Sequence, residues 1–227
     1  LTMPCPIFLM ALRFRLNVPP KEFLPHLCTC SQPLSSSPSH FQSCKFTKPK
    51  SGTLRHNSLV QLLSHFAQSL GAETQIEPRG ALGETSKRPD LEIRFMDDPA
   101  AVLLDVSVVH PAAKSHLRAA QHPLGAALRR ERLQSQKYDA LATSEGAHFS
   151  PFVVESYGAM SKSALTVVDW FACQARQQNS NITRKFLVEA ISVCLMRGNA
   201  RIAIEGAHLT ARNTRPPFNA LQINAPF

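Results

Sequence analysis

The chain has 227 residues, 44% of them hydrophobic, enough to bury one proper core with a small appendage, so disorder is excluded as the default. Lys and Arg outnumber Asp and Glu by 25 to 16, a formal net charge of +9, which favours polyanionic partners such as nucleic acid over acidic small molecules. The opening LTMPCPIFLMALRFRL is too short to span a bilayer, and Pro4, Pro6, Arg13 and Arg15 spoil it as a secretory segment, so no membrane association is expected.

Residues 1–25 read as the remnant of a preceding domain or as a linker. Residues 18–54 are rich in Pro, Ser, Thr, Lys and Cys with little periodicity, as expected of loops held by something other than a core, and residues 26–54 of them read as a zinc module. Within them Cys28, Cys30, His40 and Cys44 form C-x-C-x9-H-x3-C, a set of thiolate and imidazole ligands that suits tetrahedral Zn2+ in a structural site. The first pair is closer than the usual two-residue gap, so His26 or His56 could replace one ligand. Cys173 and Cys194 sit in apolar helical runs and read as buried thiols, which fits a reducing nuclear or cytoplasmic compartment better than a disulfide framework.

Residues 55–160 carry the clearest patterns. Leu59, Leu62, Leu63, Phe66 and Leu70 repeat at helical spacing, with Asn57 as the expected N-cap and Gly71 as the stop. Arg55 and His56 then fall at the helix entrance, where each could meet a phosphate or lie in a solvated loop, the latter being favoured. AETQIEP follows as a short strand. Leu91, Ile93 and Phe95 alternate with Asp90, Glu92 and Arg94, the period of a strand with one buried face, while AVLLDVSVV is apolar on both faces, like a central strand. The intervening MDDP is turn material.

A hairpin centred between Asp97 and Asp98 opposes Asp90 to Asp105. Opposed residues share a face with Cβ atoms about 5 Å apart. Two ionised carboxylates so placed repel, so one carries a proton or a divalent cation lies between them. A cation held in this way in a basic protein points to phosphodiester hydrolysis. No Lys stands two residues after Asp105, where Ser107 is found; Lys137, beside Tyr138 on a long helix starting near Pro123, could reach over the carboxylates instead. Arg118, Arg129, Arg130 and Arg132 cluster before and on that helix as phosphate contacts. Residues 161–212 read as a helical extension of two segments, and residues 213–227, with three prolines, as a tail.

RPD and LLDVSVVHP, with fourteen residues between Asp90 and Asp105, followed by QKYDAL and FSPFVVESYG, resemble the PD-(D/E)XK, restriction-enzyme-like endonuclease that lies C-terminal to the reverse transcriptase in some non-LTR retrotransposon polyproteins. The preceding Cys/Cys/His/Cys motif and RHN match that arrangement, and the resemblance runs from about Cys28 to Gly158. It implies an α/β restriction-endonuclease-like core in the order helix, three strands, helix, strand, with a zinc-bound loop module before it. It further implies Asp90 and Asp105 as ligands of Mg2+ or Mn2+, Lys137 as the relocated active-site lysine, and Glu77 and Glu155 as additional acids. The partner is then DNA, with RNA as a second candidate, and a polymerase domain lies upstream in the full polyprotein. Ser107 departs from the family pattern, so the alternative is a catalytically decayed nuclease fold or zinc module that only binds nucleic acid. FMDD at Phe95 to Asp98 also mimics the catalytic turn of a reverse transcriptase palm, but only 94 residues precede it, too few for that framework.

Overall fold

Period-2 apolar alternation and helical stripes both emerge as elements of a mixed α/β fold. The computed structural model describes residues 2–19, 27–34, 39–46, 50–96, 98 and 100–213. His26, Asp97 and almost all of the expected tail lie outside them. In chain order the elements are α1 (Cys5–Arg15), α2 (Ser51–Ser69), β1 (Glu73–Ile76), β2 (Ala81–Glu84), β3 (Leu91–Arg94), β4 (Val102–Val109), α3 (Gly125–Ser144), β5 (His148–Glu155), α4 (Lys162–Gln177) and α5 (Arg184–Asn213). Two short 3-10 turns, His40–Gln42 and Ala119–Gln121, complete the described set.

Four strands form one sheet in the order β1-β3-β4-β5, antiparallel between β1 and β3 and between β3 and β4, parallel between β4 and β5. The parallel pair is joined through α3, the usual crossover for such strands. Pro151 opposes Asp105 on β5, an edge strand, where a missing N–H can be tolerated. The β3–β4 register pairs Leu91 with Leu104 and Ile93 with Val102, the alignment expected of a hairpin centred near Asp98. The connection is longer than a tight turn, however, because β3 ends at Arg94 and β4 starts at Val102.

Alternation on these strands divides the core. Leu91, Ile93, Leu104, Val106, Phe152 and Val154 pack with α1, α2, α4 and α5 in one large cluster. Leu103, Val109 and Val153 face the opposite way, toward Tyr138, Ala142, Ala126 and Ala127 of α3. The helices α4 and α5, read as an extension, thus share the main core. So does α1, read as a remnant or linker: Met10, Ala11 and Phe14 are buried there, and Phe14 stacks on Tyr157 at 5.1 Å.

Several local expectations need correction. The second helix starts at Ser51, with Asn57 inside it rather than capping it; Glu205 of α5 accepts the Lys50 and Ser51 N–H groups at 2.9 and 2.7 Å, so a distant carboxylate does the capping. Glu92 is buried, not solvent-facing, and accepts a hydrogen bond from Arg94 Nε at 2.5 Å. Cys173 is exposed, because it falls on the outer side of α4.

The loop containing the cysteines packs on α5 through Leu34 and Phe41, which are buried with Ile202 and Ala207. Gly206 permits this approach: a Cβ there would stand 2.4 Å from Phe41 Cγ. Gly206→Ala is therefore expected to lower stability by about 1–3 kcal/mol through overpacking, measured by chemical denaturation. An unchanged midpoint would mean that the loop does not dock here in solution.

Candidate metal centre and carboxylate cleft

The Cys28, Cys30, His40 and Cys44 ligand atoms lie within 4.8 Å of one another. Cys28 Sγ is 3.8 Å from Cys44 Sγ, and Cys30 Sγ is 3.3 Å from His40 Nε2. A tetrahedral zinc with sulfur ligands at about 2.3 Å has ligand–ligand edges of about 3.8 Å, so the donor set and its spacing fit the ion. At 3.8 Å the Cys28 and Cys44 sulfurs are too far apart for a disulfide. These four residues form a Cys3His group that could bind zinc. Neither alternative imidazole is needed: His56 is engaged elsewhere.

A second polar cluster occupies a cleft of about 290 Å³ between the start of α2 and the first half of α3. Its lining includes Asp90, Asp105, Ser107, His56, Arg55 and Arg130. The β3–β4 register explains how the acids meet. Leu91 pairs with Leu104; Asp90 immediately precedes the one and Asp105 immediately follows the other, so both acids flank one strand pair and reach the same cleft. The backbone holds Asp90 tightly: its N–H donates to Leu104 O at 2.9 Å, and its carbonyl accepts from Glu77 N–H at 2.9 Å.

Each carboxylate has a different environment. Asp90 Oδ2 accepts the Val106 N–H at 2.6 Å, and Oδ1 accepts from His56 Nε2 at 3.2 Å. That bond to Asp90 raises the His56 pKa, against the opposing pull of burial. Asp105 accepts from Gln134 Nε2, which also reaches Asp105 O and Ser107 Oγ, both at 3.0 Å. The Arg130 guanidinium lies 3.7 Å from Asp105 Oδ2 and donates through Nε to Ser107 Oγ at 2.9 Å. Burial, and then the neighbouring charge of Asp90, push the Asp105 carboxyl above its ordinary range; Gln134, Tyr138 and Arg130 only partly offset this.

Lys137 lies on the expected helix, but its ammonium sits 4.2 Å from the centre of the Tyr138 ring and donates to the Tyr138 hydroxyl. It is not among the residues lining the cleft. The cation that touches Asp105 is Arg130, seven residues earlier. Tyr138 in turn donates to Arg88 O at 2.8 Å, pinning the segment that presents Asp90 against α3. Glu77, just beyond β1, lines a smaller hollow shared with His56 and Asp90. Glu155 is not brought to the acids: it opposes Val109, four residues beyond the Asp105–Pro151 pair, about 13 Å along the strand. Of the other arginines, Arg118 and Arg132 are exposed, and Arg129 donates to Ser115 O at 2.9 Å.

Two further contributors, Gln134 and Tyr138, have no site role in the sequence reading, and for Arg55 and His56 that reading favours a solvated loop over a phosphate contact. Gln134 and Tyr138 follow Arg130 at successive helical turns, a polar stripe that could have been read directly. Arg55 and His56 were obscured by starting the helix at Asn57. Arg55 is buried, donating through Nη1 to Gln42 Oε1 and Asn199 Oδ1, each at 2.6 Å.

Near Arg55, buried His110 shares a hydrogen bond with Ser156 Oγ at 2.7 Å. Burial first, then the charges of Arg55 and His116, lower its pKa to about 4. A histidine depressed in the fold binds its proton more readily when unfolded, so stability is full at neutral pH and falls as pH drops from about 6.5 toward 4. About 2 kcal/mol should be lost by pH 5, and His110→Gln should remove that part of the slope in denaturation titrations. Parallel pH profiles for the two proteins would show that His110 does not carry it.

No protein-family profile matches the chain. The chain is 27% identical over 188 residues to the retrotransposable element SLACS 132 kDa protein of Trypanosoma brucei gambiense. The match takes in 77% of this chain and 15% of that protein, so the chain spans a small part of the relative's length. This similarity supports a retrotransposon origin. No helix among the described residues is long and apolar enough to cross a membrane.

Proposed function

We propose that the chain is a retrotransposon-derived, divalent-metal-dependent DNA endonuclease domain with a PD-(D/E)XK, restriction-endonuclease-like core. The observation that carries this reading is the pair Asp90 and Asp105, presented by adjacent antiparallel strands to one cleft whose other charged and imidazole groups are Arg55, His56 and Arg130. Like charges, one buried and one half-buried, with positive groups around them suit a Mg2+ or Mn2+ ion that contacts a phosphodiester. When bound, the ion would stabilise the charge developing on the phosphorus oxygens and lower the pKa of an attacking water.

The residues of the chain supply the rest. Asp90 and Asp105 hold the ion, and the bonds from Val106 and Gln134 orient their carboxylates. The cationic role expected of Lys137 falls to Arg130, already oriented by Ser107. The exposed Arg118, Arg129 and Arg132 track the flanking DNA backbone. Zinc at Cys28, Cys30, His40 and Cys44 holds a loop that has little core of its own.

A second reading has its own support. Asp105 is already engaged by Gln134 and Arg130, as expected where a nuclease fold has lost its metal and only binds nucleic acid. Supercoiled plasmid incubated with the zinc-loaded protein and Mg2+ or Mn2+ separates the two. Nicking supports the endonuclease; binding without cutting under either ion supports the decayed form.

A further inference from the structure

Among the described residues Arg55 is a buried cation without a paired anion. Its residue is 8% exposed, yet both bonds made by Nη1 end on neutral amide oxygens, those of Gln42 and Asn199, and Nε has no partner. Among the described residues no carboxylate lies within ion-pair distance of it. Burial lowers its pKa to about 10, which leaves it charged at neutral pH. An uncompensated buried guanidinium is costly, and side chains of this kind are kept where a carboxylate or phosphate completes them.

The placement is built rather than incidental. Arg55 lines the same cleft as Asp90 and Asp105. Its aliphatic stem runs through a slot in α5 where only glycine fits, since a Cβ at Gly198 would stand 2.3 Å from Arg55 Cγ. Gln42, two residues after His40, orients it from the cysteine-rich loop, and Asn199 from α5, where Asn199 is itself tied to Ser156 O at 2.6 Å. The cysteine-rich loop, 13 residues before Arg55, and α5, 144 residues after it, therefore fix one guanidinium in the cleft that holds two acids.

We propose that Arg55 is the phosphate-binding residue of the cleft: it takes an oxygen of the nucleic-acid backbone that lies across Asp90 and Asp105, and Gln42 of the zinc-ligand loop positions it for that contact. The proposal rests on the nucleic-acid reading above but not on cleavage. It links the zinc centre to the cleft through one hydrogen bond.

Gln42→Glu tests it, by placing a carboxylate where Arg55 now meets a neutral amide. The zinc-loaded full chain is titrated with a fluorescent DNA duplex over a range of NaCl, with no other divalent ion added. Neutralising one phosphate contact should reduce the slope of log affinity against log salt by about 1 and the affinity about tenfold. Gln61→Glu, an exposed change on α2, supplies the same added charge without touching Arg55 and should cost far less. Arg55→Lys keeps the charge and should keep the slope, a result that a purely structural role would not produce. Should Gln42→Glu lose its zinc, Arg55→Gln carries the same expectation. The proposal is overturned if Gln42→Glu, folded and zinc-loaded, loses no more than Gln61→Glu, or if the wild type does not bind the duplex. Wild-type binding with this Arg55 dependence, but no nicking in Mg2+ or Mn2+, would remove the endonuclease reading and leave the phosphate site standing.

Discussion

Asp90→Asn and Asp105→Asn should each lower metal-dependent nicking of supercoiled plasmid by roughly two to three orders of magnitude, because a catalytic ion is worth several kcal/mol and each tenfold in rate is about 1.4 kcal/mol. Neither change should unfold the protein. Asparagine keeps the size of each side chain, and its oxygen can still accept the bonds from Val106 N–H at Asp90 and from Gln134 at Asp105. Asp105→Asn should even stabilise the metal-free fold slightly, since burial and the Asp90 charge both disfavour the ionised form. Circular dichroism melts alongside the nicking assay separate lost chemistry from lost structure. Undiminished cutting by the Asp105 variant would move the active centre elsewhere, and a collapsed melt would give the residue a structural role instead.

Removing zinc should have the largest effect on stability. The cysteine-rich loop buries Leu34 and Phe41 against α5, and each such side chain contributes about 1.5–3 kcal/mol only while the loop is closed. Without the ion, three thiols and an imidazole are left to hold the loop by weak contacts such as the 3.8 Å approach of Cys28 to Cys44. Cys28→Ser or Cys44→Ser should abolish binding of one zinc equivalent and cost several kcal/mol, lowering the melting temperature by about 10 °C or more. The loss should reach the cleft as well, because Gln42 would no longer hold Arg55. Metal analysis and calorimetry on the purified variants check this. Full stability without zinc would mean that the four residues are merely neighbours.

How much of this was legible in the sequence depended on range. Ligand chemistry and local spacing placed the cysteines and His40 as one group, since a short, core-poor loop has few other ways to close. Period-2 alternation on both sides of a turn determined which residues of β3 and β4 share a face, and so brought Asp90 and Asp105 to the two ends of neighbouring pairs beside one cleft; a slip of one residue would have turned every apolar side chain outward. Helical stripes likewise located α2, α3, α4 and α5.

Tertiary packing decided the rest. Asn199 is 144 residues from Arg55 and Asp90 is 34 from His56, and no local propensity records such pairings. They exist because α2 starts at Ser51 and packs on α5, which carries Arg55 and His56 to the cleft. The same holds for α3. Its sequence offers both Arg130 and Lys137 as cations, and only the way its buried face of Ala126, Ala127, Gln134 and Tyr138 settles on the sheet brings Arg130 to Asp105 while the Lys137 ammonium lies against a ring. Periodicity determines which side chains share a face; which of them meet an acid is set by the contact between two buried surfaces, to which residues far apart in the chain contribute together.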